Sequence, residues 1–316
     1  MKSAGKIARL DFSRIKTVSL DKRASKVALR DLAVAPRRGK SFREFEHGLP
    51  HLLAADDFRI LADSIALAVR ARRTVLWMIG AHVVKTGLSP VLIALARRRA
   101  VTALAMNGAG AIHDFEIAYR GKTSEDVAAG LKDGTFGMAK ETGEFISSAL
   151  RATGREGFGR AVGSAIGDAQ LRYRNLSLLH ECAMLGIPAT VHVAIGTDII
   201  HQHPSASGED IGRASYADFR KLCAVVAGLE GGVVLNVGSA VVLPEVFLKA
   251  LTVARNLGHR VRRFTAANLD MIQHYRPRVN VIERPTALGG RKIALTGHHE
   301  LLVPMLAQAV FERLRG

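Results

Sequence analysis

Apolar and polar residues alternate along the chain with two different periods, which predicts that helices alternate with strands. Between residues 58 and 73 the apolar residues recur at helical spacing, and TVLWMIGA then forms the short apolar run of a buried strand. Further helices are predicted at LSPVLIALARRR, FISSALRATG, LRYRNLSLLHECAMLG, YADFRKLCAVVAGL and PEVFLKALTVARNLG, and further strands at AVTALAMNGAG, ATVHVAIG, GGVVLNVGS, RVRRFTAAN, VNVIERP and KIALTG. This order predicts an α/β fold with a mainly parallel sheet and helices on both faces.

The first part of the chain lacks this rhythm. In residues 1–55, short apolar patches alternate with basic residues without a clear period. We expect these residues to form a basic N-terminal arm that extends from the fold and contacts a partner. Residues 56–316 are predicted to form a single α/β domain, and 30 glycines against nine prolines suit its many tight strand-to-helix turns.

The charge balance is strongly positive, with 45 Lys and Arg against 28 Asp and Glu, an excess of 17. Such an excess attracts polyanions, anionic membrane surfaces or acidic partners. Many of these cations are dispersed at predicted helix ends, where solvent and the helix dipole stabilise them, so an ordinary solvated surface explains them equally well. Because no basic stripe is interleaved with aromatic residues, we do not expect a nucleic-acid-binding module.

Cysteine content and hydropathy indicate the compartment. Cys182 and Cys223 lie within apolar helical patterns, which predicts reduced thiols and favours the cytoplasm. The first 16 residues contain no apolar stretch of the length that a signal sequence needs, and no window approaches the roughly 18 apolar residues of a membrane span. We therefore expect a soluble protein without a membrane partner.

Polar residues and glycines follow the predicted strands directly. In sheets of this kind ligands bind beyond the carboxyl ends of the strands, so these turns are the candidate site for a small-molecule substrate. Their glycines either allow a helix to pack closely on a strand, or expose backbone N–H groups to a phosphate or carboxylate. The turns are Gly80-Ala81-His82, Asn107-Gly108-Ala109-Gly110, Gly196-Thr197-Asp198 and Asn236-Val237-Gly238-Ser239.

Histidines are concentrated beyond the same strand ends. Imidazole titrates near neutral pH, so one hypothesis is acid–base catalysis. A second is a zinc or iron site, in which His201 and His203 have chelating spacing and Asp114 or a neighbouring carboxylate completes the ligands. A third is that they are local turn or capping residues. The five histidines are His113, His201, His203, His298 and His299.

The ordered series of strand-end motifs resembles the deoxyhypusine synthase family from about residue 60 to residue 309. The matching segments are GAHVVKTGLSPVLIALARRRAVTALAMNGAGAIHDFEIAYRG, VHVAIGTDIIH, DFRKLCAVVAGLEGGVVLNVGSAVVLPEVFLKAL and KIALTGHHELLVPMLAQAV. The resemblance implies a Rossmann-like fold, a homotetramer with sites shared between subunits, and NAD held beside a polyamine such as spermidine.

The resemblance also implies which residues contact the cofactor. Asp198 matches an aspartate in the family's Thr-Asp turn. The residues that match NAD-contacting positions in the other three turns are Gly80, Ala81, His82, Thr86, Asn107, Gly108, Ala109, Gly110, Gly238 and Ser239.

Several polar residues of the family are replaced in this chain. His113 and Asp114 stand where the family has two carboxylates that bind the amine, and Val241-Val242-Leu243-Pro244 replaces a Lys and His pair. The loop that carries the family's Trp and catalytic Lys is missing before the closing strand. Lys292, at the start of that strand, and Lys85, on the first turn, are the candidate nucleophiles.

Three functions remain open at this point. The first is a divergent member of the family that retains an NAD or nucleotide pocket and acts on a small anionic or neutral substrate, because the positive charge and the lost carboxylate disfavour spermidine. The second is an NAD-dependent polyamine aminobutyl transferase, similar to deoxyhypusine or homospermidine synthase. The third is a non-catalytic homotetramer that binds a ligand or partner. The candidate catalytic residues are His113, Asp114, Asp198, His201, His203, His298 and Lys292.

Overall fold

The computed structural model describes residues 9–314 and is built around a six-stranded sheet. The strands are β1 (Val75–Ile79), β2 (Ala103–Asn107), β3 (Ala189–His192), β4 (Val233–Val237), β5 (Thr265–Asp270) and β6 (Arg291–Thr296). Their order is β3-β2-β1-β4-β5-β6, and every neighbouring pair is parallel. The chain moves outward from β1 to β3 and then returns to place β4 beside β1. The predicted α/β class is confirmed, and β1 and β4 form the point at which the strand order reverses.

Helices connect the strands and cover both faces of the sheet. Within the described residues they are α1 (Phe42–His47), α2 (Leu53–Arg70), α3 (Ala81–Lys85), α4 (Ser89–Arg97), α5 (Gly108–Arg120), α6 (Val127–Asp133), α7 (Lys140–Thr153), α8 (Phe158–Asp168), α9 (Leu178–Met184), α10 (Gly208–Ala227), α11 (Val242–Asn256) and α12 (His299–Leu314).

The central strand β1 contributes to two hydrophobic cores. Val75, Trp77 and Ile79 pack in the larger core, whereas Leu76 and Met78 pack in the smaller core on the opposite face. Successive side chains of a strand point to opposite faces, so a strand covered on both sides must be apolar throughout. This requirement explains why the sequence around β1 is an uninterrupted apolar run.

The predicted strand over residues 279–285 is wrong. The segment Pro277–Glu283 is a π-helix that packs against α11 and β5. Its residues Val279, Val281 and Ile282 are buried. A short run of buried β-branched residues is also typical of a strand, which explains the wrong prediction. Asn280 anchors the turn by donating to Glu245 Oε1 at 2.8 Å.

Helix α8 is an element that the hydrophobic pattern did not predict. A Cβ atom on Gly159 would lie 2.1 Å from the carbonyl oxygen of Ala189, and one on Gly163 would lie 2.4 Å from that of Leu179. The glycines therefore let the α8 backbone pack directly on β3 and α9. The same residues lower intrinsic helix propensity, which hides the helix in the sequence.

The N-terminal segment from residue 9 to residue 41 lies on the surface as three single 3₁₀ turns joined by extended chain. The next element, α1, packs against the last helix, α12. The buried Glu46 of α1 accepts hydrogen bonds of 2.7 and 2.9 Å from Arg313 of α12. The division into an arm of residues 1–55 and a domain of residues 56–316 stays a prediction. Residues 1–8 of this arm and residues 315–316 of this domain lie outside the described part of the chain.

None of the helices between residues 9 and 314 combines the length and the apolar character that a membrane crossing requires. Of the two cysteines, Cys182 packs in the larger core and Cys223 lies half-buried beside the smaller one.

Asp114 lies fully buried in α5 and fixes the start of α9. Its carboxylate accepts hydrogen bonds from Ser177 Oγ at 2.5 Å, from the Leu178 N–H at 2.6 Å and from the Leu179 N–H at 3.1 Å. Burial raises the pKa of Asp114 to about 6, and the three hydrogen bonds act in the opposite direction. Asp114, predicted as a catalytic residue and metal ligand, is thus engaged in joining two helices.

We expect Asp114→Ala to lower the free energy of unfolding by about 3 kcal/mol, because buried donors at the start of α9 lose their acceptor. Asp126→Ala is the matched control. Asp126 accepts from the Ala129 N–H at the exposed start of α6, and its loss should cost about 1 kcal/mol. Urea unfolding followed by circular dichroism measures both changes. Equal losses would contradict the anchoring role of Asp114.

Candidate functional site

The turns after β1 and β4 touch each other at the carboxyl edge of the sheet. The Gly80 N–H donates to the carbonyl of Val237 at 2.8 Å, and a Cβ atom on Gly80 would lie 2.0 Å from the carbonyl oxygen of Gly238. Gly238 itself has a φ of +68° and donates its N–H to Leu269. Both glycines are therefore needed for backbone packing at this point.

His299 begins α12 and lies buried against the Gly238 turn, where a Cβ atom on Gly238 would come within 2.8 Å of its ring. Its Nε2 is 3.3 Å from the carbonyl oxygen of Leu269. Because a carbonyl can only accept, Nε2 carries the proton and Nδ1 is an unprotonated acceptor. Within the described residues that buried Nδ1 has no hydrogen-bond partner.

Two neighbouring side chains set the electrostatic environment of His299. Burial lowers its pKa, and the carboxylate of Asp270, whose Oδ1 lies 3.7 Å from Nε2, acts in the opposite direction. The ring of His82 meets the His299 ring edge-on, with 5.7 Å between their centres. His299 is thus held neutral at pH 7, with a carboxylate close enough to stabilise its charged form.

Asp198 and His201 form a second pair, in the turn after β3. His201 Nδ1 accepts from the backbone N–H groups of Gly196 at 3.1 Å and of Asp198 at 3.3 Å, so the proton of the neutral ring is on Nε2. This Nε2 lies 3.9 Å from Asp198 Oδ2, too far for a hydrogen bond, and neither atom has a partner in the described residues. A hydroxyl group that accepted from His201 Nε2 and donated to Asp198 Oδ2 would satisfy both atoms.

The carboxylate of Asp198 also occupies the start of α5. A Cβ atom on Gly108 would lie 2.1 Å from Asp198 Oδ2, and the Ala109 N–H donates to the same carboxylate. The Asn107 side chain accepts from the Gly110 N–H at 3.1 Å. The first N–H groups of α5 are therefore bound by oxygens of this chain. Burial raises the pKa of Asp198, and the hydrogen bond from Ala109 acts in the opposite direction.

His113 belongs to a third group, on the side of α5. The Thr123 hydroxyl donates to Glu116 Oε2 at 2.5 Å, and Thr142 donates to Oε1 of the same carboxylate at 3.1 Å. The Thr123 oxygen must then accept from His113 Nδ1 at 2.6 Å, which leaves Nε2 as the unprotonated nitrogen. Burial, followed by the charge of Lys85, lowers the pKa of His113 to about 4.

A cavity of about 400 Å³ adjoins this third group, with Glu116 and Thr142 in its wall. Thr123, which His113 contacts, also lines this cavity, whereas His113 itself does not. The low pKa of His113 keeps its ring neutral at pH 7.

The other predicted catalytic residues lie apart from these groups. His203 Nδ1 lies 2.8 Å from Ser205 Oγ in a local turn. The His298 side chain is 63% exposed, and its Nδ1 lies 3.7 Å from Glu300 Oε1. Lys292 is exposed near the start of the edge strand β6, whereas the candidate site lies at the ends of the strands.

The predicted metal site finds no support in the structure. Between residues 9 and 314, no three His, Cys, Asp or Glu side chains come together as possible metal ligands. Of the three proposed ligands, Asp114 bonds to the start of α9, His201 accepts from two backbone N–H groups and His203 pairs with Ser205. Each side chain therefore has a separate local role.

Three further residues predicted to contact a cofactor lie on the turns themselves. Ala81 begins the short helix α3. The Thr86 hydroxyl donates to the carbonyl of His82 at 2.9 Å, at the end of that helix. Ser239 Oγ accepts from the Leu243 N–H at 3.2 Å in the first turn of α11. Each hydroxyl therefore bonds to the backbone of an adjacent helix.

Sequence reasoning missed one polar residue of the site and misplaced another. Asp270 was missed because the predicted strand ended at residue 268, two positions before β5 actually ends. Asn236 was predicted in the turn after its strand, but it lies within β4, where its amide donates to Asn268 Oδ1 at 2.7 Å and to the carbonyl of Ser239 at 2.9 Å. Its Oδ1 has no partner among the described residues.

The parallel strand order and the polar groups at the β1–β4 switch point define a Rossmann-like α/β protein with a candidate ligand site at its carboxyl edge. No family model and no curated protein matches the chain.

Solved structures do share its fold. AgrE, solved with ornithine and NAD⁺, matches with a TM-score of 0.52 and 16% identity over 84% of this chain and 34% of its own. A candidate LOR/SDH protein from Methanococcus maripaludis S2 matches with a TM-score of 0.51 and 15% identity, over 82% of this chain and 70% of its own. A candidate deoxyhypusine synthase from Entamoeba histolytica has a TM-score of 0.48 and 9% identity, with coverages of 87% and 94%.

These likenesses concern the fold alone. This chain spans about a third of the length of AgrE, 34%. The predicted Rossmann-like fold is confirmed, and the specific relationship to deoxyhypusine synthase stays a prediction.

We expect Gly108→Ala to destabilise the protein by about 2 kcal/mol, because the new methyl group must displace the Asp198 carboxylate from the start of α5. Gly212→Ala is the matched control. Gly212 lies exposed in α10 with no atom near its Cβ position, so alanine should stabilise by up to about 1 kcal/mol. Chemical denaturation measures both effects. A stable Gly108→Ala variant would show that Asp198 does not require this space.

Proposed function

We propose that this chain is an enzyme that binds a nucleotide, with NAD as the first choice, along the carboxyl edge of its sheet. The proposal is carried by the buried polar atoms without partners at that edge. Such atoms are costly when they remain unpaired, and a bound ligand would satisfy them together. They are Asp198 Oδ2, His201 Nε2, Asn236 Oδ1 and His299 Nδ1.

The pair formed by Asp198 and His201 fits the hydroxyl groups of a nucleotide. A group that bridges His201 Nε2 and Asp198 Oδ2 must accept from the first atom and donate to the second, and a ribose hydroxyl can do both. The fold supports the choice of NAD, because AgrE, a protein of similar fold, was solved with NAD⁺ and ornithine. NAD would supply a hydride acceptor. The first N–H groups of α5 already bind Asn107 and Asp198, so they would not hold its phosphates.

His299 is proposed as the general base. Its free Nδ1 accepts a proton from a substrate hydroxyl or amine, while Nε2 stays bonded to the Leu269 carbonyl. The imidazolium that results is stabilised by Asp270, at 3.7 Å. His113 offers a second unprotonated nitrogen, whose tautomer Thr123 and Glu116 fix.

The substrate proposed is a small neutral or anionic molecule. The net charge of +17 and the histidine at position 113 disfavour a polycation such as spermidine. Aminobutyl transfer would need a lysine nucleophile, and Lys292 lies at the opposite end of its strand from the site. Lys85, whose charge lowers the pKa of His113, is the lysine that this alternative would have to use.

We further propose that the chain forms a homo-oligomer, as the family resemblance implies, and that its N-terminal arm makes the contact. The arm leaves large apolar side chains in solvent, and burying them on another copy of the chain would be favourable. These side chains are Leu10, Phe12, Ile15, Val18, Leu20, Val27, Leu29, Leu32 and Val34.

Thermal-shift measurements with NAD, ATP, spermidine and divalent metals test the proposed ligand. We expect NAD to raise the melting temperature, and Asp198→Asn to weaken NAD binding by about tenfold, because the amide cannot replace the carboxylate as a double acceptor. Asp126→Asn, on the exposed start of α6, should leave NAD binding unchanged.

Two results of that screen would contradict the proposal. A protein whose melting temperature responds to none of these compounds would not be a nucleotide-binding enzyme. Spermidine-dependent reduction of NAD by the purified protein would instead establish aminobutyl transfer as the activity.

Light scattering coupled to size-exclusion chromatography tests whether the N-terminal arm holds copies of the chain together. We expect an oligomer, and we expect replacement of Leu10, Phe12 and Ile15 by Ser to produce a smaller species, because the contact loses its apolar area. Replacement of the exposed Leu131 and Met184 by Ser is the control and should change nothing. A monomeric unmodified chain would refute the role of the arm.

A further inference from the structure

The amino edge of the sheet, opposite the candidate site, is strongly basic. Parallel strands begin at one common edge, and exposed cations stand before or at the start of four of the five adjacent strands from β2 to β6. We call this set the basic edge. It consists of Arg97, Arg98 and Arg99 before β2, Arg72 and Arg73 before β1, Arg260, Arg262 and Arg263 before β5, and Arg291 and Lys292 at the start of β6.

The strand register places these cations in a row. Val75, Val233, Thr265 and Arg291 are paired successively across β1, β4, β5 and β6. Arg73 and Arg263 each precede a member of this row by two residues. Adjacent strands are about 4.8 Å apart, so the basic edge extends over about 19 Å from β2 to β6. Cations that are dispersed in the sequence therefore form one continuous surface.

Few carboxylates neutralise this surface. Arg97 pairs with Glu181 at 2.8 Å, and Arg260 pairs with Glu230 at 3.7 Å. Glu230 also interacts with the charge of Arg263. Within the described residues, the other seven cations of the basic edge form no ion pair. The guanidinium of Arg98 instead lies 5.0 Å from the centre of the Phe311 ring. The basic edge is left with a large uncompensated positive charge.

A pocket of about 260 Å³ opens within the basic edge. Arg263 and Arg291 line it together with Ser64 and the backbone of Gly231 and Gly289. This shallow, open pocket admits a phosphate group beside the two guanidinium groups. The cations form a row along one edge of the sheet, which suits a linear chain of phosphates better than the two-dimensional surface of a bilayer.

We infer that the basic edge binds nucleic acid through its phosphate backbone, independently of base sequence. Nine of its ten cations are arginines, as the members named above show, and the planar guanidinium group binds phosphate oxygens in pairs. Phe264, the aromatic residue in the lining of the pocket, is buried, so no stacking on bases is expected. Nucleic acid, the partner inferred here, was not expected from the sequence. The sequence shows no basic stripe, because these cations come together only when the strands form the sheet.

Fluorescence anisotropy with labelled RNA and duplex DNA of about 20 nucleotides per strand tests the inference on the full chain. We expect the triple variant R73Q/R263Q/R291Q to bind both probes at least about tenfold more weakly at about 100 mM salt. The slope of log K against log salt concentration should fall by about 2 to 3, because three phosphate contacts are lost. A second triple variant, R72Q/R99Q/R262Q, should weaken binding in the same way.

The control variant K132Q/K140Q/R220Q removes the same charge from exposed positions outside the basic edge. It should change affinity by less than about twofold, and melting temperatures verify that all variants fold. Equal weakening by the control would reduce the effect to net charge and overturn the inference. So would failure of the unmodified chain to bind either probe, or binding only to vesicles that contain phosphatidylserine.

Discussion

The contact between Gly80 and the carbonyl of Gly238 joins the two halves of the sheet, and the site depends on it. β1 and β4 are far apart in sequence, and their turns meet with no room for a side chain at position 80. His299 packs on the second of these turns, and Asp270 approaches it from the adjacent strand. A change in the spacing of the two turns would therefore move the proposed base and its carboxylate together.

Hydrogen bonds with the surrounding chain fix the tautomers of three histidines, and the nitrogen that is left free is protonated in one and unprotonated in the other two. His201 presents an N–H group, whereas His113 and His299 present lone pairs. The desolvation that burial imposes keeps His113 and His299 uncharged at neutral pH. At the edge, His201 and His299 therefore offer one donor and one acceptor at fixed places, and His113 offers a further acceptor on the side of α5.

The sequence predicted the fold more completely than the site, and particular residues show why. Strands buried on both faces, such as β1, are continuous apolar runs and are easily recognised. The same signal misled at residues 279–285, where a buried π-helix contains β-branched residues. His298 and His299 follow the same strand, yet one is exposed and the other buried. Consecutive positions at the start of a helix face different directions, which composition alone does not reveal.

Asp198 has a consequence for selectivity. Its carboxylate stands at the start of α5, on the N–H group of Ala109 and in the space left by Gly108. The protein thus carries its own anion where the helix would otherwise attract one from solution. An incoming anion must compete with a group that is covalently tethered and therefore always at high local concentration, whereas a neutral hydroxyl can bind beside it. At the start of α5, and only there, the chain therefore disfavours a bound anion and leaves room for a neutral group.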